Sequence, residues 1–256
     1  MARKDEYYNR AKQQGYRSRA AYKLEQLNET AGLVQSGDTV VDLGAAPGGW
    51  LQVAHELAGE GGTVVGVDLQ RIKPLEGVET VRGDMTEEET RERIKHALDG
   101  EEADVVVSDM APNMSGEYSL DHARSVYLAR MAFETACELL GPGGDFVAKV
   151  FDGPDLNDLK RDVEREFDYV REVRPEASRK ESSELYLVAK RRLTAPVRVG
   201  DKLDVEIEDV GNEGDGIAKV EGFTLFVPDT EAGDSLRVRV TDVKPRFAFA
   251  TRADGE

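Results

Sequence analysis

The sequence is poor in the residues that build covalent or metal frameworks. Cys137 is its one cysteine, which excludes an internal disulfide and a cysteine metal cluster; the residue sits in an apolar helical pattern and reads as core filler. Histidine is nearly as scarce: His55, His96 and His122 lie far apart, without the spacing of metal ligands, so no metal site is expected. No apolar run reaches membrane-spanning length and no secretory signal is visible, so no membrane partner and a soluble, cytoplasmic setting are expected. Positive charge is also in deficit, with 34 Lys and Arg against 51 Asp and Glu and a net charge of −17. Taken alone, that balance argues against a polyanionic partner such as nucleic acid.

The acidity, however, has no single home. Glu and Asp recur on nearly every face expected to be exposed, rather than in one tail. Such a surface resembles that of proteins from salt-loving organisms. At 1 M salt the Debye length is about 3 Å, which removes most of the long-range repulsion of RNA. The first 30 residues also reverse the sign locally, with seven Lys or Arg against four Asp or Glu. There Tyr7, Tyr8, Tyr16 and Tyr22 interleave with Arg10, Lys12, Arg17, Arg19 and Lys23. These residue types together stack bases and meet phosphates, so RNA contact is expected of this stretch. Packing of Tyr16 and Tyr22 against a sheet is the plainer alternative.

Along the chain, Ser18 is a plausible N-cap for a helix running to about Thr30, whose apolar positions Ala20, Leu24, Leu27 and Ala31 carry Lys23 on the same inward face. From residue 38 strands and helices alternate. Strand signals are Thr39–Asp42, Thr63–Asp68, Val78–Val81, Ala103–Asp109, Asp145–Phe151, Tyr169–Val173 and Glu184–Lys190; helical stretches lie near 50–58, 87–98, 120–140 and 155–167. Gly141-Pro142-Gly143-Gly144 predicts a break between the longest helix and the fifth strand. The alternation implies an α/β, mostly parallel, doubly wound sheet. Near Pro196 it stops, and residues 200–252 show only strand-like alternation punctuated by glycines. We therefore expect two domains, 1–193 and 194–256, the second a small all-β barrel of about five strands, in a chain that acts as a monomer.

Two features carry chemistry. Lys149 lies within Phe146-Val147-Ala148-Lys149-Val150-Phe151, an apolar run that reads as a buried strand. A cation there needs partners, and Asp109 and Glu184, each at a strand end, can supply them; a lysine so placed is a candidate general base. The first strand-to-helix turn reads Asp42-Leu43-Gly44-Ala45-Ala46-Pro47-Gly48-Gly49-Trp50. It has Ala46 where a dinucleotide fingerprint places its second glycine, and no lysine of a phosphate-binding loop follows. The turn suits an adenosine ligand without phosphates, and S-adenosylmethionine is that ligand. Asp68, about twenty residues on, can accept both ribose hydroxyls, and Asp84 can accept from the adenine amino group.

The segment 42–50, the run Ser108-Asp109-Met110-Ala111-Pro112-Asn113-Met114-Ser115-Gly116 and the Lys149 strand resemble the FtsJ family of RNA ribose 2′-O-methyltransferases over roughly residues 5–190. The resemblance is strongest to the member that modifies a uridine of large-subunit ribosomal RNA. It implies a Rossmann-like S-adenosylmethionine-dependent methyltransferase sheet whose seventh strand is antiparallel. It implies a catalytic set of Lys23, Asp109, Lys149 and Glu184, and cofactor contacts at Gly48, Trp50, Asp68, Asp84 and Asp109. The implied partner is ribosomal RNA or the large ribosomal subunit. The tail, Pro196–Arg252, resembles a TRAM domain, an RNA-binding β-barrel on which Arg237, Arg239, Lys244 and Arg246 are candidate RNA contacts. Relatives with the same tetrad act on transfer RNA or on messenger-RNA caps, which stay open as substrates. A non-catalytic RNA-binding assembly factor is the reading from another class, and the intact tetrad argues against it. A nicotinamide dehydrogenase is disfavoured by Ala46.

Overall fold

In the computed structural model, which describes residues 6–179, 182–211 and 214–253, helices α1 (Glu6–Gln14) and α2 (Ala21–Ala31) precede an alternating α/β unit. Its elements are β1 (Thr39–Leu43), α3 (Gly49–Ala58), β2 (Thr63–Asp68), β3 (Glu79–Arg82), α4 (Glu88–Ala97), β4 (Ala103–Ser108), α5 (Tyr118–Leu139), β5 (Leu140–Phe151), α6 (Leu156–Glu166), β6 (Phe167–Val173) and β7 (Glu184–Arg192). One sheet results, ordered β3-β2-β1-β4-β5-β7-β6. Every pair from β3 to β5 is parallel, and β7 runs antiparallel to β5.

The central strands read as continuous valine because both faces of a parallel sheet are covered. The pleat then sorts alternate residues. Val105, Val107, Val147, Tyr186 and Val188 share a core with Leu24 and Leu27 of α2 and Trp50 and Leu51 of α3. Val106, Phe146, Ala148, Leu185 and Leu187 share the other with Ile94 of α4, Ala132 and Phe133 of α5, and Leu159 of α6. Gly66 lets α3 approach β2, since a Cβ there would lie 2.6 Å from Leu51 Cδ1. Each fully buried Leu or Val side chain contributes about 1.5–3 kcal/mol.

Two local expectations are corrected, and one helix was not foreseen. Ser18 is not an N-cap: α2 starts after Ala20 with no side-chain cap, and Ser18 instead packs on the N-terminus of α3, where a Cβ on Gly49 would meet its Oγ at 2.3 Å. Helix α1 escaped the periodicity reading because it buries only Ala11. Residues 141–144 are not a separate loop but a bulge at the start of β5: Ala103 pairs with Leu140 and Val105 with Asp145, so the Gly-Pro-Gly-Gly run loops out opposite Asp104.

The chain divides into two units after Lys190. The second is a curled sheet of six strands, one more than expected: β8 (Lys202–Glu206), β9 (Asp209–Val210), β10 (Gly216–Val220), β11 (Phe223–Val227), β12 (Ser235–Val243) and β13 (Phe247–Arg252), in the order β8-β12-β13-β11-β10-β9. The extra strand, β9, is two residues long, too short for alternation to show. Val205, Ala218, Leu225, Val227, Val238, Val240, Ala248 and Ala250 fill its core. Among the described residues no helix is long and apolar enough to cross a membrane.

Candidate active site

Strand β1 delivers the chain into a turn that only glycine fits. Gly44 has φ +79°, and a Cβ on it would lie 2.1 Å from Met110 Cγ. The turn is anchored by Gly44 and Ala45 N–H groups donating to the Val67 carbonyl at 2.8 and 3.0 Å. It forms one wall of a cavity of about 470 Å³ at the carboxyl ends of the strands. Gly44, Ala46, Asp68, Leu69, Asp84, Asp109, Met110 and Tyr127 are among its lining residues. Such a crevice is where open α/β sheets bind ligands.

The carboxylates of this cavity hold its backbone in shape. Asp68 accepts from Ala46 N–H through Oδ2 at 2.9 Å and from Gln70 N–H through Oδ1 at 2.7 Å. Asp84 Oδ1 accepts from the N–H and hydroxyl of Thr86 at 3.0 and 2.7 Å. Both keep lone pairs for a ligand. Gly48 and Trp50 lie outside the lining. Gly48 caps α3 at φ +105°, and buried Trp50 donates from Nε1 to the Ala20 carbonyl at 2.7 Å. Below the turn, Asp42 is buried, its Oδ2 has no partner, and burial pushes its carboxyl well above the usual range, helped by Asp109 and Asp68.

Beside this cavity, where Asp109 contributes to the lining, the four expected tetrad residues meet. Lys149 donates to Asp109 Oδ1 at 2.9 Å and to the Asp109 carbonyl. Lys23 Nζ lies 2.8 Å from Glu184 Oε1 and 3.7 Å from Asp109 Oδ1. Parity explains the convergence. Asp109, Lys149 and Glu184 stand on the same sheet face as Val107, Val147 and Tyr186, the face that α2 covers, and Lys23 points down from α2. Lys23 and Lys149 are only 7% and 8% exposed, so two ammonium groups are balanced by two carboxylates away from water. Breaking one such pair leaves an uncompensated charge and costs about 3–5 kcal/mol.

A fifth member was missed. Tyr186 pairs in register with Lys149, is fully buried, and donates to Asp109 Oδ1 at 2.5 Å. Burial, then Asp109 and Glu184, push its phenol well above the ordinary value, which keeps it a donor. Its signal was present: Tyr186 follows Glu184 by the period of two that puts both on one face.

Of the N-terminal side chains expected to meet RNA, Tyr8, Arg10 and Lys12 are exposed, while others turn inward. Tyr22 is fully buried and donates to Gln14 Oε1 at 2.5 Å; the Tyr16 hydroxyl donates to Glu56 at 2.7 Å and lies 2.9 Å from Glu25 Oε1. Arg17 reaches the Lys73 and Pro74 carbonyls at 2.7 and 2.8 Å, and Arg19 the Ala177 carbonyl. Each of these four finds an internal partner; Tyr16 packs against the sheet's core as the plainer alternative has it, whereas Tyr22 packs with Ala11 and Ala177. On the second unit, Arg237, Arg239 and Arg246 are exposed and Lys244 lies 2.9 Å from Asp242. Beside them sequence reasoning missed an outward aromatic cluster: Phe226, Phe247 and Phe249 have ring centroids 5.4–5.9 Å apart.

A sheet with one antiparallel strand beside its last parallel one, a glycine turn at β1 and a charged cluster at the strand ends define an enzyme of the Rossmann-like methyltransferase class. The profile of FtsJ-like methyltransferases matches residues 16–192, and that of the TRAM domain matches residues 196–252. The chain is similar to the ribosomal RNA large subunit methyltransferase E of Natronomonas pharaonis, 74% identical over 250 residues with 98% of each chain covered. It is 64% identical to the protein of that description from Halorubrum lacusprofundi, covering 99% of this chain and 95% of the relative. A crystal structure of a Plasmodium falciparum ribosomal RNA methyltransferase covers 69% of this chain with TM-score 0.63 and 26% identity. The chain belongs to the FtsJ-like methyltransferase family and carries a TRAM domain.

Proposed function

We propose that this chain transfers a methyl group from S-adenosylmethionine to the ribose 2′-hydroxyl of a uridine in large-subunit ribosomal RNA, in the cytoplasm. The observation that carries the reading is the buried Lys23–Asp109–Lys149–Glu184 cluster, joined by Tyr186, at the wall of a cavity edged by Asp68 and Asp84. The cavity fits the cofactor. Its carboxylates suit ribose hydroxyls and an adenine amino group, and no phosphate-binding lysine is among its lining residues. Bound there, the cofactor would supply an electrophilic methyl on a sulfonium.

The chain's own residues do the rest. Asp109 holds Lys149 by two hydrogen bonds, which fix the Nζ position. Once its ammonium has given up a proton to water, the Lys149 amine meets the 2′-hydroxyl and receives its proton as the oxygen attacks the methyl and displaces a thioether. Lys23, fixed by Glu184, brings a second cation to the same carboxylate and offsets negative charge developing on the oxygen. Tyr186 keeps the other side of Asp109 Oδ1 occupied, so the carboxylate cannot swing away. Exclusion of water strengthens each of these interactions.

The test is methyl transfer from labelled cofactor to large-subunit RNA taken from cells lacking the enzyme, followed by mapping of the product nucleotide. Lys149→Ala should lower the single-turnover rate by about 10²–10⁴ while the cofactor still binds. Near-normal transfer by that variant would remove Lys149 from the chemistry, and a methyl group appearing only in transfer RNA would change the substrate.

A further inference from the structure

Asp109 lines the cavity assigned to the cofactor; Glu184, at the other end of the same ion-pair chain, lines a different one. No residue is common to the two linings, and Lys23 spans them, 3.7 Å from Asp109 and 2.8 Å from Glu184. The second cavity, about 530 Å³, lies between Tyr7 of α1 and the segment joining β6 to β7, which contributes Arg174, Ser178, Arg179 and Ser182. The second cavity therefore lies at the Glu184 end of the ion-pair chain, and the first at its Asp109 end.

In a chain of net charge −17, two guanidinium groups line one hollow, beside the carboxylates of Glu176 and of Glu184, the latter held by Lys23. Arg174 is already aimed, with Nη2 2.7 Å from Asp152 Oδ2 and Nη1 donating to the Glu184 carbonyl at 3.4 Å. Arg179 is exposed and has no ion pair among the described residues. Arg19, just beneath, has its guanidinium pushed down by burial and then by Arg179, so the cations already repel one another. An anion would relieve that repulsion. Ser178 Oγ is shielded from water with no hydrogen-bond partner, a state that costs free energy until a ligand satisfies it.

We infer that this cavity seats a phosphodiester of the RNA strand flanking the methylated ribose, with Arg179 and Arg174 as its cations and Ser178 and Ser182 as hydroxyl donors. Guanidinium and hydroxyl donors together are phosphate-recognition chemistry. Contacts to phosphate fix register without reading bases, so the cavity would place the 2′-hydroxyl at Lys149 while other contacts choose the nucleotide. The inference rests on the reading that RNA is the substrate.

The experiment uses the full chain, large-subunit RNA from cells lacking the enzyme, and a salt series. Arg179→Glu is compared with Arg165→Glu, an equal charge change on α6 at a side chain paired with Asp162 and 69% exposed. Arg179→Ala separates loss of charge from its reversal. We expect KM for RNA to rise about tenfold in Arg179→Glu, less in Arg179→Ala, and to recover in Arg179→Lys. The slope of log affinity against log salt should fall by about 0.7 for one lost contact to a single strand. Cofactor affinity, which also reports the fold, should not move, and Arg165→Glu should keep the wild-type KM. An Arg179→Glu variant with the KM and salt slope of the Arg165→Glu control would overturn the inference. Failure of the underlying reading looks different: the wild-type protein would methylate no RNA, and the inference would fall with it.

Discussion

Asp42 shows how much the site asks of single residues. It sits 1% exposed beneath the glycine turn, with Asp68 and Asp109 raising its pKa further and Oδ2 unpartnered. Its folded-state pKa therefore lies well above the unfolded value near 3.8. The sign follows: its contribution to stability is fully present below the unfolded value and is lost as pH rises toward the folded one, because the unfolded chain ionises first. Asp42→Asn has no proton to lose. Its stability relative to wild type should improve as pH rises above about 4 in denaturant titrations at constant high salt. Parallel stability curves would mean that Asp42 is ionised in the folded protein. Asp68 makes a second case, since it braces the turn through Ala46 and is proposed to hold the cofactor ribose. Losing hydrogen bonds to a charged group costs about 1.5–3 kcal/mol, so Asp68→Ala should bind S-adenosylmethionine roughly ten- to a hundredfold more weakly. The methylated nucleotide should stay the same. Unchanged affinity by calorimetry would move the ribose contact elsewhere.

At the scale of elements, β7 decides whether there is a site. Because it runs antiparallel to β5, its first residue, Glu184, lies beside the last residues of β5, and Lys149 faces Tyr186. The tetrad was legible because each member sits at a strand end or on a strongly periodic helix, where a charge inside an apolar pattern stands out. Tyr186 was harder to read, since an aromatic in a strand is ordinary core by type; its period of two from Glu184 gives the face, and its distance to Asp109 shows the role. Helix α1 and the two-residue β9 carry too few apolar positions to repeat, while the Gly-Pro-Gly-Gly run read as a break because a bulge and a loop use the same residues. The aromatic face of the second unit was hidden for another reason. Phe226 on β11 and Phe247 and Phe249 on β13 are far apart in sequence, and the parallel pairing of those strands makes them neighbours. Leu225, Val227, Ala248 and Ala250 point inward, so these three rings point out. We propose that they stack RNA bases, with Arg237 and Arg239 near the strand. Stacking is worth about 1–3 kcal/mol per base, so Phe249→Ser should weaken RNA binding by roughly five- to a hundredfold with little change in Tm. A variant that loses Tm and keeps RNA affinity would make the cluster structural.

On the scale of the whole molecule, a net charge of −17 must coexist with an RNA substrate, and salt is what reconciles them. Screening at molar salt removes the repulsion, but it weakens phosphate contacts by the same physics. A protein in that regime gains from contacts that salt does not screen, such as stacking, and from a second point of attachment. Each unit has its own apolar core: Val41, Val106 and Phe146 in the first, Leu225, Val238 and Ala250 in the second. All tetrad residues and every proposed cofactor contact precede residue 190. Deleting residues 195–256 should therefore leave a folded domain that binds S-adenosylmethionine normally and keeps its kcat. What it should lose is capture of RNA. The missing module would otherwise hold the strand near the tetrad and raise its effective concentration there, so KM for RNA should rise on truncation. The rise should be steeper in 2 M than in 0.5 M salt, because the phosphate contacts left to the catalytic domain fade first. A truncated chain that unfolds, or loses kcat at saturating RNA, would show that the second unit completes the catalytic domain rather than feeding it.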